Sequence, residues 1–371
     1  MSLADKLAVF DAHLPLERAR TIPSLWYFDD EIYRAECERV FGATWQCVGR
    51  ADQLSRPGCY LTAEVAGQPI LVVRGDDGVL RAFANVCRHK AALVMTDACG
   101  QASRLRCGYH GWTYDLAGRL RGTPQFEGVA DFSRQENGLP AYTVDACGPL
   151  VFVHLGTPRA SLADSLGPFA QAASQRQLEQ LKFACRREYD LACNWKVFID
   201  NYQDGGYHVP ALHPALSGAL DYKDYRTENF ARGSVQISPM KPSDDPAVRA
   251  VRSGAVARYW WLFPNLMVNV YEGVMDVNVV LPLAPERCRV IFDFYFADVD
   301  SPGREKFIAD STAVAHQVQL EDQTICEQVQ RGLGSRSYDT GRYSAKRESG
   351  CYHFHRLLAA YLRGSPNAAT V

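Results

Sequence analysis

No stretch of this sequence stays apolar long enough to cross a bilayer. The most apolar run, AVARYWWLFPNLMVNV, is interrupted by Arg258, Pro264 and Asn265, well short of the ~20 residues that a spanning helix needs. No sign of charge dominates either. Lys and Arg number 40 against 42 Asp and Glu, a net charge of −2, so neither nucleic acid nor an anionic membrane surface is expected as a partner. A G-x-G-x-x-G loop after a strand is missing, and so is the C-x₄-C-x₂-C run of plant-type clusters. The chain is therefore not expected to accept electrons from NAD(P)H unaided. The opening MSLADKLAVFDAHLPLERAR lacks the basic and apolar regions of a secretory signal and reads as a short amphipathic helix. Without such a signal, twelve irregularly spaced Cys suggest buried thiols in the reducing cytoplasm rather than a disulfide framework.

What is present fits two domains. The chain has 371 residues, 47% hydrophobic and 22% charged, which is ordinary globular composition with room for a large core. FDDEIYRAECERVFGATW places Ile32, Tyr33, Cys37, Val40 and Phe41 near helical spacing. From residue 45 to 155 the pattern changes to short strands and turns. PILVVRGDDGVLRAFAN and GWTYDLAGRLRG read as hairpins, and GPLVFVHL as a buried strand. Beyond it come a helical LADSLGPFAQAASQRQLEQL, a helix-like WKVFIDNYQDGGYH and strands at RYWWLFPNLMVNVY, MDVNVVLPLAP and CRVIFDFYFADV. A long helical run, REKFIADSTAVAHQVQLEDQTICEQVQRGL, precedes a terminal helix at HRLLAAYLRG. The expectation is an α+β chain: an all-β domain at 45–155 inserted into a larger domain made of 1–44 and 156–371.

Residues 87–112 read CRHKAALVMTDACGQASRLRCGYHGW. Cys87 and His89 form one tight pair, and Cys107 and His110 a second, with seventeen residues between. Two Cys and two His can hold a structural zinc ion. Yet each pair mixes thiol and imidazole, which suits a two-iron cluster with two thiolates on one iron and two imidazoles on the other. Gly108 and Gly111 would let the backbone approach such a cluster, and Cys99 reads as a bystander in the intervening loop. A second candidate lies at DNYQDGGYHVPALHP, where His208 and His213 stand five apart. A regular helix would set them ~140° apart, so a break is expected between them, aided by Gly205, Gly206 and Pro210. Far downstream, QLEDQTICEQVQRGL offers Asp322 on a helical face as the carboxylate of a 2-His-1-carboxylate iron site.

C-R-H, seventeen residues, then C-G-Y-H-G-W resembles the Rieske motif. With the second site it makes the chain, from Thr21 to Leu362, similar to the catalytic alpha subunits of Rieske non-haem iron oxygenases. The resemblance implies that Cys87, His89, Cys107 and His110 bind a 2Fe-2S cluster. It further implies that His208, His213 and Asp322 hold one Fe(II), with Asn201 near it; the neighbouring Glu321 is the rival carboxylate. A catalytic domain with an antiparallel sheet flanked by helices follows. So does a homotrimer in which the cluster of one subunit serves the iron of the next. Oxygen is then the co-substrate, and a flavin and iron–sulfur reductase, with or without a ferredoxin, the electron source. Ring-hydroxylating members carry a bridging Asp three residues before the first His. Here that position is Gly205, and Asp204 is the expected bridge, with Asp200 in reserve.

DN-Y-x-DGGYHVP-x-x-H, TIPSLWYFDDEIYRAECERVF and FPNLMVNVYEGVMDVNVVLPL resemble the choline monooxygenase branch, which oxidises quaternary ammonium compounds. The implied reaction is hydroxylation or N-demethylation of such a compound, and aromatic ring dioxygenation is the alternative. A trimethylammonium group would suit an aromatic box. Tyr202, Tyr259, Trp260, Trp261, Phe263 and Tyr271 are the candidates, with Glu272 for charge, although Trp260 and Trp261 must face opposite sides of a strand. His353 and His355, in ESGCYHFHRLL, read as structural.

Overall fold

The computed structural model describes residues 1–213, 220–241 and 254–365. The chain divides into two compact units, one of Met1–Val40 with Leu166–Val371 and one of Phe41–Ser165. The smaller unit thus begins four residues before, and ends ten after, the span expected from the strand pattern. The additions include the turn Phe41–Ala43 and most of the short helix α3 (Leu162–Leu166).

The smaller unit is all-β apart from such turns. A seven-stranded antiparallel sheet runs in the order β1 (Gln46–Arg50), β10 (Leu150–His154), β9 (Ala141–Cys147), β4 (Leu80–Ala84), β3 (Gln68–Arg74), β2 (Cys59–Val65), β5 (Cys99–Gln101). A three-stranded ribbon is formed by β6 (Leu105–Arg106), β7 (Thr113–Tyr114) and β8 (Leu120–Gly122). Its core gathers Leu71, Val73, Phe83, Leu105, Trp112 and Tyr114, and Cys87 and Cys107 lie within it.

In the larger unit, among the described residues, seven antiparallel strands form one sheet. The order is β11 (Lys182–Leu191), β17 (Arg287–Phe296), β16 (Val274–Ala284), β15 (Leu266–Tyr271), β14 (Val256–Leu262), β13 (Gly233–Pro239), β12 (Arg226–Phe230). β12 to β17 are therefore a simple meander, closed at its end by β11. The inner strands β13 to β15 are buried along almost their full length, whereas the edge strands β11 and β12 alternate between half-buried and exposed residues.

Helix α5 (Trp195–Gln203) begins at an Asn194 cap, whose side chain accepts from the Lys196 amide. It packs against α7 (Arg304–Leu333), α8 (Ser349–Leu362) and β16. From the N-terminal segment, α2 (Asp30–Arg39) contributes Glu36. Its carboxylate accepts from Lys196 Nζ at 2.6 Å and from Trp195 Nε1 at 2.8 Å, and both charged groups are fully buried. The terminal helix starts at Ser349, several residues before the apolar run HRLLAAYL, because the preceding Gly350, Cys351, Tyr352, His353 and Phe354 are buried too.

Candidate metal centres and pocket

In the smaller unit two turns of the same design present the sulfur and imidazole groups. The amide of Cys87 donates to Ala92 O at 2.8 Å while Ala91 N donates back to Cys87 O at 3.0 Å. The second turn repeats this with Cys107 N to Trp112 O at 2.9 Å and Gly111 N to Cys107 O at 3.1 Å. Position +4 from each Cys is left-handed, Ala91 at φ 57° and Gly111 at φ 73°. Gly111 thus meets a backbone requirement, whereas a Cβ on Gly108 would have nothing within 4 Å. Tyr114, buried beneath, accepts from the Arg88 amide at 3.0 Å and places its hydroxyl 3.5 Å from Cys87 Sγ. Cys99 lies exposed on β5.

The two imidazoles differ in surroundings. His89 stacks on Trp112 at 4.9 Å with 6° between the planes, and Phe126 meets its edge at 5.8 Å. His110 stands 4.5 Å from it, exposed, beside the exposed ring of Tyr109. Among the described residues His89 Nδ1 has no hydrogen-bond partner although it is buried. A buried nitrogen left open in this way fits coordination to a metal. Two thiols and two imidazoles converging from paired loops fit a two-iron cluster.

In the larger unit the helix break expected at the second motif falls before His208 rather than between the two histidines. α5 stops at Asp204, and Gly205 and Gly206 take φ 69° and 70°. A Cβ on Gly205 would stand 2.2 Å from Arg347 O, so no carboxylate fits three residues before His208. A one-turn helix α6 (Val209–Leu212) then carries His208 at its N-cap and His213 at its C-cap. Pro210 sits in its first turn, where a missing N–H costs nothing. The two rings flank that turn with centroids 5.0 Å apart.

Asp322 arrives from the middle of α7, with Oδ1 3.1 Å from His213 Nε2 and 3.9 Å from His208 Nε2. Ligand atoms of His208, His213 and Asp322 lie within 4.8 Å of one another, a spacing and donor set that fit an iron site with open positions. Asn201 donates to Asp322 Oδ1 at 2.7 Å. Asp204 Oδ2 accepts from the His208 amide at 2.9 Å and lies 2.6 Å from His208 Nδ1. Glu321 Oε2 lies 2.6 Å from His213 Nδ1. Asp200 points elsewhere: it accepts from the Tyr27 hydroxyl at 2.7 Å and faces His355 Nε2 at 2.9 Å. His353 donates through Nε2 to Phe230 O at 2.7 Å, and neither His353 nor His355 is in the triad.

A cavity of about 130 Å³ borders the triad. Its walls include Tyr202, Tyr225, Tyr259, Tyr271, Phe198 and Phe292. Burial holds the Tyr202 and Tyr225 hydroxyls well above their ordinary pKa, so both stay neutral. Part of the floor is a polar row across four strands, Gln236, Tyr259, Asn269 and Asp276, each the register partner of the next. Tyr202 donates to Asn269 Oδ1 and Asn269 to Asp276 Oδ2, both at 2.6 Å.

Of the aromatic candidates, Tyr202, Tyr259 and Tyr271 line this space. Trp260, Trp261, Phe263 and Glu272 are not among its walls. Strand alternation turns Trp260 to the other face, against Phe169 and Phe230 at 5.6 and 6.2 Å. Trp261 and Phe263 pack on α8 residues Phe354 and Tyr361, and Glu272 is exposed in a turn. Sequence reasoning missed Tyr225, Gln236, Asp276 and Asn278. For Asp276 and Asn278 a signal was present, since polar residues alternating through the apolar MDVNVV must be buried for a reason.

Residues 44–133 match the model of the Rieske [2Fe-2S] domain, and residues 178–364 that of the ring hydroxylating alpha subunit catalytic domain. A chloroplastic choline monooxygenase of Arabidopsis thaliana is 41% identical over 94% of this chain and 84% of its own. The carnitine monooxygenase oxygenase subunit of Escherichia coli K12 is 30% identical, covering 92% and 94%. A solved quaternary ammonium Rieske monooxygenase in complex with L-carnitine superposes with a TM-score of 0.82 at 28% identity, covering 94% and 99%.

Proposed function

We propose, from the premise that this chain belongs to the ring-hydroxylating oxygenase alpha subunits with a Rieske [2Fe-2S] domain, that its substrate is a small quaternary ammonium or N-methyl compound. The reaction class is oxygenation driven by a separate reductase. One C–H bond, O₂, two electrons and two protons give C–OH and water. Hydroxylation next to a quaternary nitrogen yields a carbon that collapses to an aldehyde as the tertiary amine and a proton leave. His208, His213 and Asp322 are the proposed iron ligands, and Cys87, His89, Cys107 and His110 those of the cluster. The bound iron supplies the oxygen-activating chemistry and the cluster the electrons. The side chains do the rest. Asn201 fixes the Asp322 carboxylate, and the cavity holds the substrate beside the triad.

The observation that carries the substrate class is the tyrosine wall. Tyr202, Tyr225, Tyr259 and Tyr271 surround a cavity that also bears the Asp276 carboxylate. Ring faces attract a desolvated cation by about 0.5–2 kcal/mol each, and no Lys or Arg is among the described lining residues. Relatives that act on choline and carnitine support the same class.

The proposed assembly is a homotrimer in the reducing cytoplasm, with electrons crossing from the cluster of one subunit to the iron of the next. His110 is the exposed cluster imidazole, and Asp204 binds the half-buried His208. Asp204 is therefore the proposed carboxylate bridge between them. The test of the substrate class is turnover of choline, carnitine and simple betaines against aromatic acids, with a generic reductase. Aldehyde and amine release from a quaternary compound is expected. A diol from an aromatic acid, with every quaternary compound inert, overturns it in favour of ring dioxygenation.

A further inference from the structure

Glu321 and Asp322 are consecutive on α7 and straddle a single imidazole. Asp322 Oδ1 lies 3.1 Å from His213 Nε2, and Glu321 Oε2 lies 2.6 Å from His213 Nδ1. The lone pairs of Nδ1 and Nε2 diverge in the ring plane. A carboxylate seated on one nitrogen cannot share a metal held by the other. The geometry points to Glu321 as a positioning residue: it accepts the Nδ1–H of His213, fixes that tautomer and so aims Nε2 at the metal. Its other oxygen accepts from Gln317 Nε2 at 2.9 Å, one helical turn earlier, so the carboxylate is itself braced.

The two iron histidines then have different tasks. His213 is buried, with its side chain 2% exposed, and is braced by Glu321 from within its own unit. His208 is 23% exposed and takes Asp204, the proposed bridge for electrons. Glu321 accordingly sets how tightly iron is held, whereas Asp204 sets how fast electrons arrive. This assignment rests on the reading that His208, His213 and Asp322 hold the iron.

The experiment strips the mononuclear iron from the full chain by chelation and titrates Fe(II) back. Cluster absorbance and the melting temperature of the iron-free protein serve as controls. Glu321→Leu is expected to weaken Fe(II) by about 10–100-fold, the usual cost of losing such a partner. Glu321→Gln keeps an oxygen acceptor for Nδ1–H and is expected to recover most of that loss. Gln317→Leu removes only the brace and is expected to fall between the parent and Glu321→Leu. At saturating Fe(II), pre-reduced Asp204→Asn should re-oxidise its cluster with substrate and oxygen more slowly than the parent by orders of magnitude.

Parent-like Fe(II) affinity in folded Glu321→Leu overturns the assignment. If that variant melts early, parent-like affinity in Gln317→Leu together with no rescue by Glu321→Gln does the same. Loss of all Fe(II) in Glu321→Leu with retention in Asp322→Asn makes Glu321 the ligand itself. A parent that takes up no Fe(II) overturns the triad reading instead, which no variant is needed to see.

Discussion

At the scale of single residues, the centre is decided by which atom of a side chain faces which neighbour. Asp322 and Glu321 are adjacent acids in the sequence, and both reach His213. Only their seats on opposite ring nitrogens separate the proposed ligand, Asp322, from the proposed brace, Glu321. Gly205 and Asp204 are a similar case. The left-handed backbone at Gly205 and the nearby Arg347 carbonyl exclude a side chain, and the acid stands one residue earlier, where it caps α5 and meets His208. His353 is a residue of another kind. Burial pulls its pKa down to about 4, against the bond to Phe230 O. The unfolded chain binds this proton near pH 6.5, so the neutral form stabilises the fold fully above that pH. The contribution is lost as pH falls from about 6.5 towards 4, roughly 3 kcal/mol in all. His353→Gln should therefore show a flatter fall in unfolding free energy between pH 7.5 and 4.5 than the parent. It should also keep its mononuclear iron, and denaturant titrations with metal analysis check both.

At the scale of elements, the helix end after Gln203 matters more than the helix. Two left-handed glycines let the chain leave α5 and re-enter a single turn, and that turn spaces His208 and His213 around one point. α5 must then be held still, because it delivers Asn201, Tyr202 and Asp204 together. Its first turn is pinned by the buried pair Lys196–Glu36 from α2. Burial pushes the Glu36 carboxyl up and the Lys196 ammonium down, each opposed by the other's charge. Lys196→Met leaves a buried carboxylate alone and should cost about 3–5 kcal/mol, whereas Glu36→Leu with Lys196→Met should regain much of it. A double-mutant cycle by denaturant unfolding measures the coupling, and additive losses would contradict it.

At the scale of the molecule, the chain carries the oxygenase machinery and no dinucleotide loop. The purified chain alone should oxidise no NADH at a steady rate coupled to product, and a flavin and iron–sulfur reductase should restore turnover. Coupled NADH oxidation by the chain alone, followed at 340 nm, would contradict this. Much of the molecule was legible from its residues. Paired C-x-H and C-x-x-H loops, hairpin turns and a long helical period are local patterns, written within a few dozen residues, and they carry the fold class, the family and its two kinds of iron centre. The pocket was legible only in part, in Tyr202, Tyr259 and Tyr271. Gln236, Tyr259, Asn269 and Asp276 come from four strands and become one row only through strand register. Trp260 and Trp261 look alike in sequence, yet the pleat and the helices covering each face send both away from the cavity. Local spacing determines which chemistry a short segment can bear, while contacts between distant segments decide which side chains share a space, and only the tertiary structure makes those contacts.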